Sequence, residues 1–527
     1  MQTNKTQVLI IGGSLVGLSS AMFLGLQGVK SILVERHAGS SSHPRAIGYT
    51  QRTMELFAAA GIISQIPQVP ANYRLRRAEV ESLAGKWKDD TQWTPVKEGQ
   101  PQKPAIEYSP YTGASFAQDK LEPILRSRAT ELGADLRYNT ELISFKQDGE
   151  GVTAVVRERN GREYTITADY MIAADGNGSR VREQLGITHK GMGHLNTVRS
   201  ILFTAPLLEE YLASGIAQFE IKQPGLTAFL TTYNDGRWVL MFTDDINRDE
   251  TTQKEAIYKA IGRTDIDIKI ITTGRWKLEA NIADTFSSGS VFIAGDAAHT
   301  LPPTRGGFGA NTGIHDAHNL AWKLAAVLLG TSTMQLLETY SAERQPVAWL
   351  RHQQTFARPD YARFATEETH NLPIIDDAAM EFGQLYRSDA VIGVAEELPK
   401  ALPPDEWQGQ PGTRAPHLWI TKNSNRISTL DYLQKGWVLF AENDKWQEAA
   451  IEAGRQLDIP LEYVQIGTDL VPEDTNAFLT AFGIEETGAT LIRPDGIIAW
   501  RIADLPEEPA TALTHALAQA SFAVKSK

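Results

Sequence analysis

The 527-residue chain contains no cysteine. Disulfide frameworks, thiolate metal sites, a cysteine nucleophile and every dithiol redox mechanism are therefore excluded. Positive charge is scarce as well: 51 Lys and Arg face 64 Asp and Glu, a net of -13. A nucleic-acid partner, which needs a basic face, is not expected. The deficit is concentrated at one end, because Ala401 to Lys527 carry 18 acidic and 10 basic side chains, a net of -8. That end reads as a separate, solubilising module. Long apolar runs are missing too. Leu320 to Leu329 is the most apolar late segment, and it contains Lys323 and falls well short of the roughly 20 residues a bilayer requires. Met1 to Gln7 is polar and runs straight into a short apolar strand, without the apolar stretch of a secretory signal. No metal-ligand spacing, nucleophile-elbow serine, internal repeat or low-complexity tract appears. These absences predict a soluble, cytoplasmic protein that binds neither membrane nor nucleic acid.

What is present is an ordinary globular composition, 42% hydrophobic and 22% charged, at a length that implies two or three domains. Val8 to Ile11 is a continuous apolar run, as a parallel strand buried on both faces should be. Gly12 to Gly17 forms a turn, Leu18 to Gln27 a helix, and Ser31 to Val34 a second buried strand ending in Glu35. Gln118 to Leu132 has the stripe of an amphipathic helix. Val152 to Val156 and Tyr164 to Ile166 read as a hairpin through Asn160-Gly161, and Tyr170 to Ala174 as a further strand. Between about 195 and 280 the pattern favours an antiparallel sheet, with Leu226 to Tyr233 paired to Arg237 to Phe242. Ser290 to Ala294 returns to a buried strand, followed by a helix from Gly313 to Leu329. Pro399, Leu402-Pro403-Pro404 and Pro411-Gly412 mark a linker-like stretch and a boundary near 400. Beyond it, strands at Gly436 to Phe440, Leu461 to Ile466 and Thr490 to Ile492 flank a helix at Lys445 to Gln456.

Three strand ends carry chemistry. Glycines in a strand–turn–helix unit let the backbone bend tightly and approach a pyrophosphate at the helix N-terminus. Gly12 and Gly17 hold the first and last positions of G-x-G-x-x-G, with Ser14 at the second, and Glu35 lies where a carboxylate takes ribose hydroxyls. Asp175-Gly176-Asn177-Gly178-Ser179-Arg180 follows another apolar strand. Gly295-Asp296-Ala297-Ala298-His299 then leads to Pro302-Pro303, Gly306-Gly307 and Asn311. An aspartate at a strand end binds a polyol, and a glycine-rich helix start offers N–H groups to an anionic ring. His299 reads as a structural hydrogen-bonding residue at the helix start.

In combination these segments resemble the class A flavoprotein monooxygenases, the para-hydroxybenzoate hydroxylase family, from Gln7 to about Arg358. The resemblance implies that Gly12, Leu15, Val16, Gly17, Glu35 and Arg36 hold the ADP part of FAD. Asp175, Gly176 and Arg180 match the motif near FAD and NAD(P)H, while Gly295 and Asp296 match the one that holds the ribityl chain. Pro302, Pro303, Gly306 and Gly307 match the loop over the flavin ring, and Asn311 follows it. Within Pro44-Arg45-Ala46 the arginine is expected near FAD, where it is also a candidate for tuning the flavin. Gln118 begins its helix beside the cofactor, and the backbone of Leu142 meets the adenine. Pro411 to His417 and Leu491 to Gly496 resemble the C-terminal, thioredoxin-like domain of the phenol hydroxylase, aklavinone 11-hydroxylase and angucycline hydroxylase subgroup. Without cysteines that module is structural or an interaction surface.

The expected architecture is α/β: a Rossmann-like FAD-binding domain (1–75, 100–190 and 281–370) with an inserted antiparallel substrate sheet (76–99 and 191–280). A linker (371–400) and a thioredoxin-like domain (401–527) complete it. As the resemblance implies, NADPH or NADH reduces FAD, and O2 gives a flavin C4a-hydroperoxide that hydroxylates a phenolic or polycyclic, polyketide-like aromatic, the chemistry of aromatic or antibiotic metabolism. Tyr233, Trp238 and Phe242 on the sheet are candidate substrate contacts. The alternatives are a flavin-dependent oxidative decarboxylation or Baeyer–Villiger insertion, or a flavin-bound interaction protein. The substrate, the position oxygenated, the choice of nicotinamide and the oligomeric state, a homodimer included, stay open at this level.

Overall fold

The computed structural model describes residues 3–43, 45–71, 73, 75–89, 106–433 and 435–524. Pro44 and most of the far end of the expected 76–99 segment lie outside the described residues. The apolar run around Val8 becomes the strand Thr3–Ile11, at the centre of a sheet whose order is Ser287–Ser288, Val291–Ile293, Glu163–Ala173, Thr3–Ile11, Ser31–Glu35, Asp135–Tyr138. Its four long neighbour pairs from Val291–Ile293 onward are parallel. Val8, Leu9, Ile10, Leu33, Val34 and Ile293 are essentially inaccessible, because helices cover the sheet. The expected hairpin and the strand after it are one element here. Glu163–Ala173 pairs antiparallel with Gly151–Glu158 and parallel with Thr3–Ile11.

The second sheet has eight strands: His299–Thr300, Lys269–Ala283, His189–Thr204, Arg237–Phe242, Leu226–Thr232, Ile216–Gln223, Arg76–Val80 and Trp87–Asp89. The hairpin turn at Asn234-Asp235-Gly236 works because Asn234 and Gly236 adopt positive φ, 57° and 82°, conformations these two residue types tolerate. One face of this sheet is sealed by the helix Glu250–Ile261 through Ile257, Ala260 and Ile261. The other face turns toward the first unit.

After residue 400 a four-stranded sheet runs Leu461–Gln465, Trp437–Ala441, Ala489–Ile492, Ile498–Ile502. Its first pair is parallel and the others antiparallel. Lys445–Leu457 and Pro509–Ser521 pack together on one side and Thr475–Phe482 on the other. This is the thioredoxin arrangement. The expected linker is not a free tether. Ala379, Met380, Phe382, Ala390 and Val391 are buried, and Tyr386 N–H donates to Gly412 O at 2.8 Å. Pro404 opens the short helix Pro404–Trp407, while the apolar residues of this stretch fill the seam between the units.

Candidate functional site

Parallel pairing puts the three motif-bearing strand ends side by side. Ala174 N–H donates to Ile11 O at 2.8 Å and Ala294 N–H to Ala173 O at 3.0 Å. Gly12, Asp175 and Gly295 therefore leave the same sheet edge at its carboxyl ends, where open α/β sheets bind ligands. Two glycines are obligatory there. A Cβ on Gly12, whose φ is +104°, would stand 2.3 Å from Ala174 O, and one on Gly17 would stand 1.9 Å from Gly12 O. Val16 fills the space beneath Gly295, 2.7 Å from where its Cβ would be, and Leu15 is buried in the helix Leu15–Leu26. Glu35 accepts Gly13 N–H at 2.7 Å and His37 N–H at 2.8 Å. Arg36 is exposed beside it, Leu142 is partly buried on the strand Thr140–Asp148, and Arg180 pairs with Glu141 at 3.3 Å.

Ser14, the departure from the glycine pattern, has a partner that sequence reading missed. Its hydroxyl donates to Glu122 at 2.6 Å and accepts from Gln118 Nε2 at 2.9 Å. Gln118 Nε2 also reaches Glu122, at 2.7 Å, and its Oε1 accepts the N–H groups of Ala46 at 3.2 Å and Arg45 at 3.4 Å. Glu122 is 1% exposed. The network thus fixes the backbone that carries Arg45, whose guanidinium points at Asp296 across 3.8 Å. The signal was present as Gln118 and Glu122 four residues apart on one helix face.

Asp316 supports the Gly295-Asp296 turn from below. It accepts from Gly295 N–H at 3.2 Å, meets His299 Nε2 at 2.6 Å and takes the Arg344 Nε–H at 2.8 Å. Burial alone would push its carboxyl up, but His299 and Arg344 outweigh that and hold it at about 2. His299 is accordingly a structural residue. Pro302 to Gly307 then turns into the helix Phe308–Leu328, whose first turn has no side-chain cap and presents open N–H groups. The Asn311 side chain bonds four protein groups. Its Oδ1 accepts from Thr53 Oγ1 at 2.6 Å and Thr50 N–H at 3.0 Å, and its Nδ2 donates to Gly307 O at 2.6 Å and Gly48 O at 3.2 Å. It is a staple for the turn. Tyr361 Oη donates to Pro303 O at 2.8 Å, and Arg305 meets Asp360 at 2.6 Å.

The sheet face opposite this turn corrects the substrate candidates. Side chains alternate along a strand, so Trp238 and Phe242 lie together with Leu240 in the core under the helix Glu250–Ile261, 0% and 1% exposed. Neither reaches the site. Val239 and Met241 point the other way, and Tyr233 joins Val239 and Leu202 against Ile47 and Ala117 of the first unit. Phe229 pairs with Met241 and so shares that face.

Asp175 is mostly buried, which raises its carboxyl pKa. Its Oδ1 has no hydrogen-bond partner among the described residues. A buried acceptor aimed at the sheet edge, a close-approach glycine turn and an uncapped helix N-terminus suit a dinucleotide with a hydroxylated chain and an anionic ring. No group of acidic and histidine residues able to hold a metal occurs among the described residues, and no helix among them is long and apolar enough to cross a membrane.

Comparison with known proteins gives the same direction. Residues 5–355 match the model of an FAD binding domain, and residues 408–521 match the C-terminal domain of aromatic-ring hydroxylases. The chain is 40% identical to 4-methyl-5-nitrocatechol 5-monooxygenase of Burkholderia sp, covering 97% of both chains. It is 36% identical to tetracenomycin A2 monooxygenase-dioxygenase of Streptomyces glaucescens, covering 98% of this chain and 97% of the relative. Aklavinone-11 hydroxylase, solved as a ternary complex with FAD and aklavinone, superposes with a TM-score of 0.86 at 32% identity, over 99% of this chain and all of that one. The chain belongs to the FAD-dependent aromatic-ring hydroxylases, flavoprotein monooxygenases that use a reduced nicotinamide and O2.

Proposed function

We propose that this monooxygenase hydroxylates a phenolic or polycyclic, polyketide-like aromatic held between the Pro302–Gly307 turn and the inner face of the eight-stranded sheet. The observation that carries the reading is the convergence of three strand ends and that turn opposite an apolar sheet face. Gly12, Leu15, Val16, Gly17, Glu35, Arg36 and Leu142 take the ADP half of FAD, and Arg45, Gln118 and Asp175 its pyrophosphate region. Gly295 and Asp296 take the ribityl chain, and Pro303, Gly306 and Gly307 the ring. Held by these residues, FAD would supply the redox chemistry: a hydride taken from NADH or NADPH and one oxygen atom of O2 passed to the aromatic, the other leaving as water.

The chain's own part is orientation, charge and exclusion of water. The open N–H groups at Phe308 and its neighbours favour negative charge on a ring above them. Leu202, Val239, Met241 and Phe229 offer a flat apolar floor on which an aromatic stacks, with Tyr233 at its rim. The cluster of His299, Asp316 and Arg344 works only as a support, since all three are buried beneath the turn. The partition into FAD-binding, sheet and thioredoxin-like units at 1–75/100–190/281–370, 76–99/191–280 and 401–527 follows the same reading.

Aerobic oxidation of NADH and of NADPH is measured on the FAD-loaded protein with a panel of nitrocatechols, simple phenols and polycyclic polyketides. Stimulation by one compound, with a product heavier by one oxygen, is the expected result. Oxidation that no aromatic stimulates, by a protein that holds FAD, counts against this substrate class.

A further inference from the structure

One carboxylate ties the turn over the proposed ring site to the substrate sheet. Asp360 lies in the helical turn Pro359–Phe364, beyond the long helix Glu338–Ala357. Its Oδ1 takes Arg305 Nη2–H at 2.6 Å and Arg77 Nη1–H at 3.3 Å, and its Oδ2 takes Arg305 Nε–H at 3.4 Å. Arg305 belongs to the Pro302–Gly307 turn, and Arg77 to the sheet strand Arg76–Val80. The three side chains are 5%, 6% and 11% exposed. Arg77 is held in turn by Glu220 at 3.2 Å and Gln218 at 3.3 Å, and its guanidinium lies 5.0 Å above the ring of Phe229. The neighbouring residue, Tyr361, holds Pro303 O from the same segment.

Two guanidinium groups from different units therefore share one nearly buried anion. Without it, each keeps its charge in a poorly solvated place with fewer partners, an arrangement that relaxes by moving apart. The sheet and the turn are the two walls of the space assigned above to the aromatic and the flavin ring. We propose that Asp360 is a positioning residue that locks the Pro302–Gly307 turn against the substrate sheet and so keeps water from the flavin ring. The proposal rests on the reading of that turn as the flavin loop. An unlocked turn admits water, and the reaction then leaks: NADH, H+ and O2 give NAD+ and H2O2, with no oxygen transferred to the aromatic.

The test reads solvent access directly and needs no substrate. Flavin fluorescence of the FAD-loaded enzyme is quenched with iodide, for the wild type, Asp360→Asn and Asp360→Glu. A quenching constant that rises threefold or more in Asp360→Asn and returns toward the wild-type value in Asp360→Glu supports the lock. An unchanged constant in Asp360→Asn, with FAD still bound stoichiometrically, overturns it while leaving the flavin site standing. A wild-type protein that holds no FAD would instead sink the functional reading and the lock together. Should Asp360→Asn fail to fold, Arg77→Gln, Arg305→Gln and the double variant decide. A double variant no more accessible than either single one supports a shared anchor, and additive effects overturn it.

Discussion

At the scale of single residues, a buried carboxylate and a partly buried one have unequal surroundings. Glu122 is satisfied by the Ser14 hydroxyl and Gln118 amide, so its removal from that network disturbs the backbone of Arg45 and Ala46. Ser14→Gly restores the glycine pattern yet takes away one donor. It should weaken FAD binding by about 1–2 kcal/mol, roughly tenfold in Kd, in a fluorescence titration of apoprotein. Tighter binding would show that the network positions nothing. Glu381 is different: it accepts Arg52 N–H at 2.8 Å, but burial and the nearby Glu55 push its pKa up to about 7. The folded protein then holds a proton that the unfolded chain has released, so stability falls as pH climbs from the ordinary carboxylate value to about 7. Relative to wild type, Glu381→Gln should gain about 2 kcal/mol in unfolding free energy between pH 5 and pH 8, screening allowed for. Parallel urea curves at the two pH values check it, and an equal difference at both rules it out.

At the scale of elements, one helix carries most of the support for the site. Phe308–Leu328 presents Asn311 to the turn, Asp316 to the Gly295 motif and Asn319 to Asp495 of the C-terminal unit. Asp316→Asn leaves Arg344 buried without its anion, and a loss of about 3–5 kcal/mol is expected in denaturant unfolding. The sheet strand Arg237–Phe242 gives the complementary contrast. Trp238→Ala opens a cavity under the helix Glu250–Ile261 and should cost about 3–5 kcal/mol of stability with KM for the aromatic nearly unchanged. Met241→Ala, on the opposite face, should change KM at least severalfold with a much smaller loss of stability. A reversed pattern in steady-state kinetics and melting curves would place the substrate elsewhere.

At the scale of the whole molecule, the C-terminal unit is sealed on by charge. Arg493, fully buried, meets Glu343 at 2.6 Å and Asp495 at 2.6 Å, and Lys323 reaches the same Glu343 at 2.7 Å. Arg414 and Arg52 enclose Glu55, whose carboxyl burial would raise but the two guanidinium groups hold low. Such a seam makes the unit a fixed part of the enzyme, in keeping with a module that has no thiol chemistry of its own. Acid should open the fold sharply. Burial lowers the pKa of His318 to about 3 and those of His352 and His417 to about 4, so each is neutral when folded and takes up a proton on unfolding. The stability they provide is complete above the unfolded value of about 6.5 and is lost as pH falls toward 4, at up to about 1.4 kcal/mol per pH unit for each. A melting temperature that stays flat between pH 6.5 and pH 4.5 would contradict this.

The strand ends, their glycines and the acids beside them were legible in the sequence because they obey local rules. A parallel strand buried on both faces must be apolar, and a position such as 12, where a Cβ would fall 2.3 Å from a neighbouring carbonyl oxygen, must be glycine. The family resemblance rested on those same residues, and that of the thioredoxin-like tail on Pro411 to His417 and Leu491 to Gly496, although its last strand and helix went unseen. Other features were settled only by tertiary structure. Which face of Arg237–Phe242 meets the site depends on where the helix Glu250–Ile261 packs, and the residue-by-residue alternation alone left Trp238 and Val239 equivalent. That the Asn311 amide ties Gly48, Thr50 and Thr53 to the turn at Gly307 was visible only in the folded chain. Glu122, Asp316, Arg305 and Asp360 act through partners up to hundreds of residues away. Local sequence carries propensity and periodicity, whereas a buried charge takes its meaning from the counter-charge that folding brings to it.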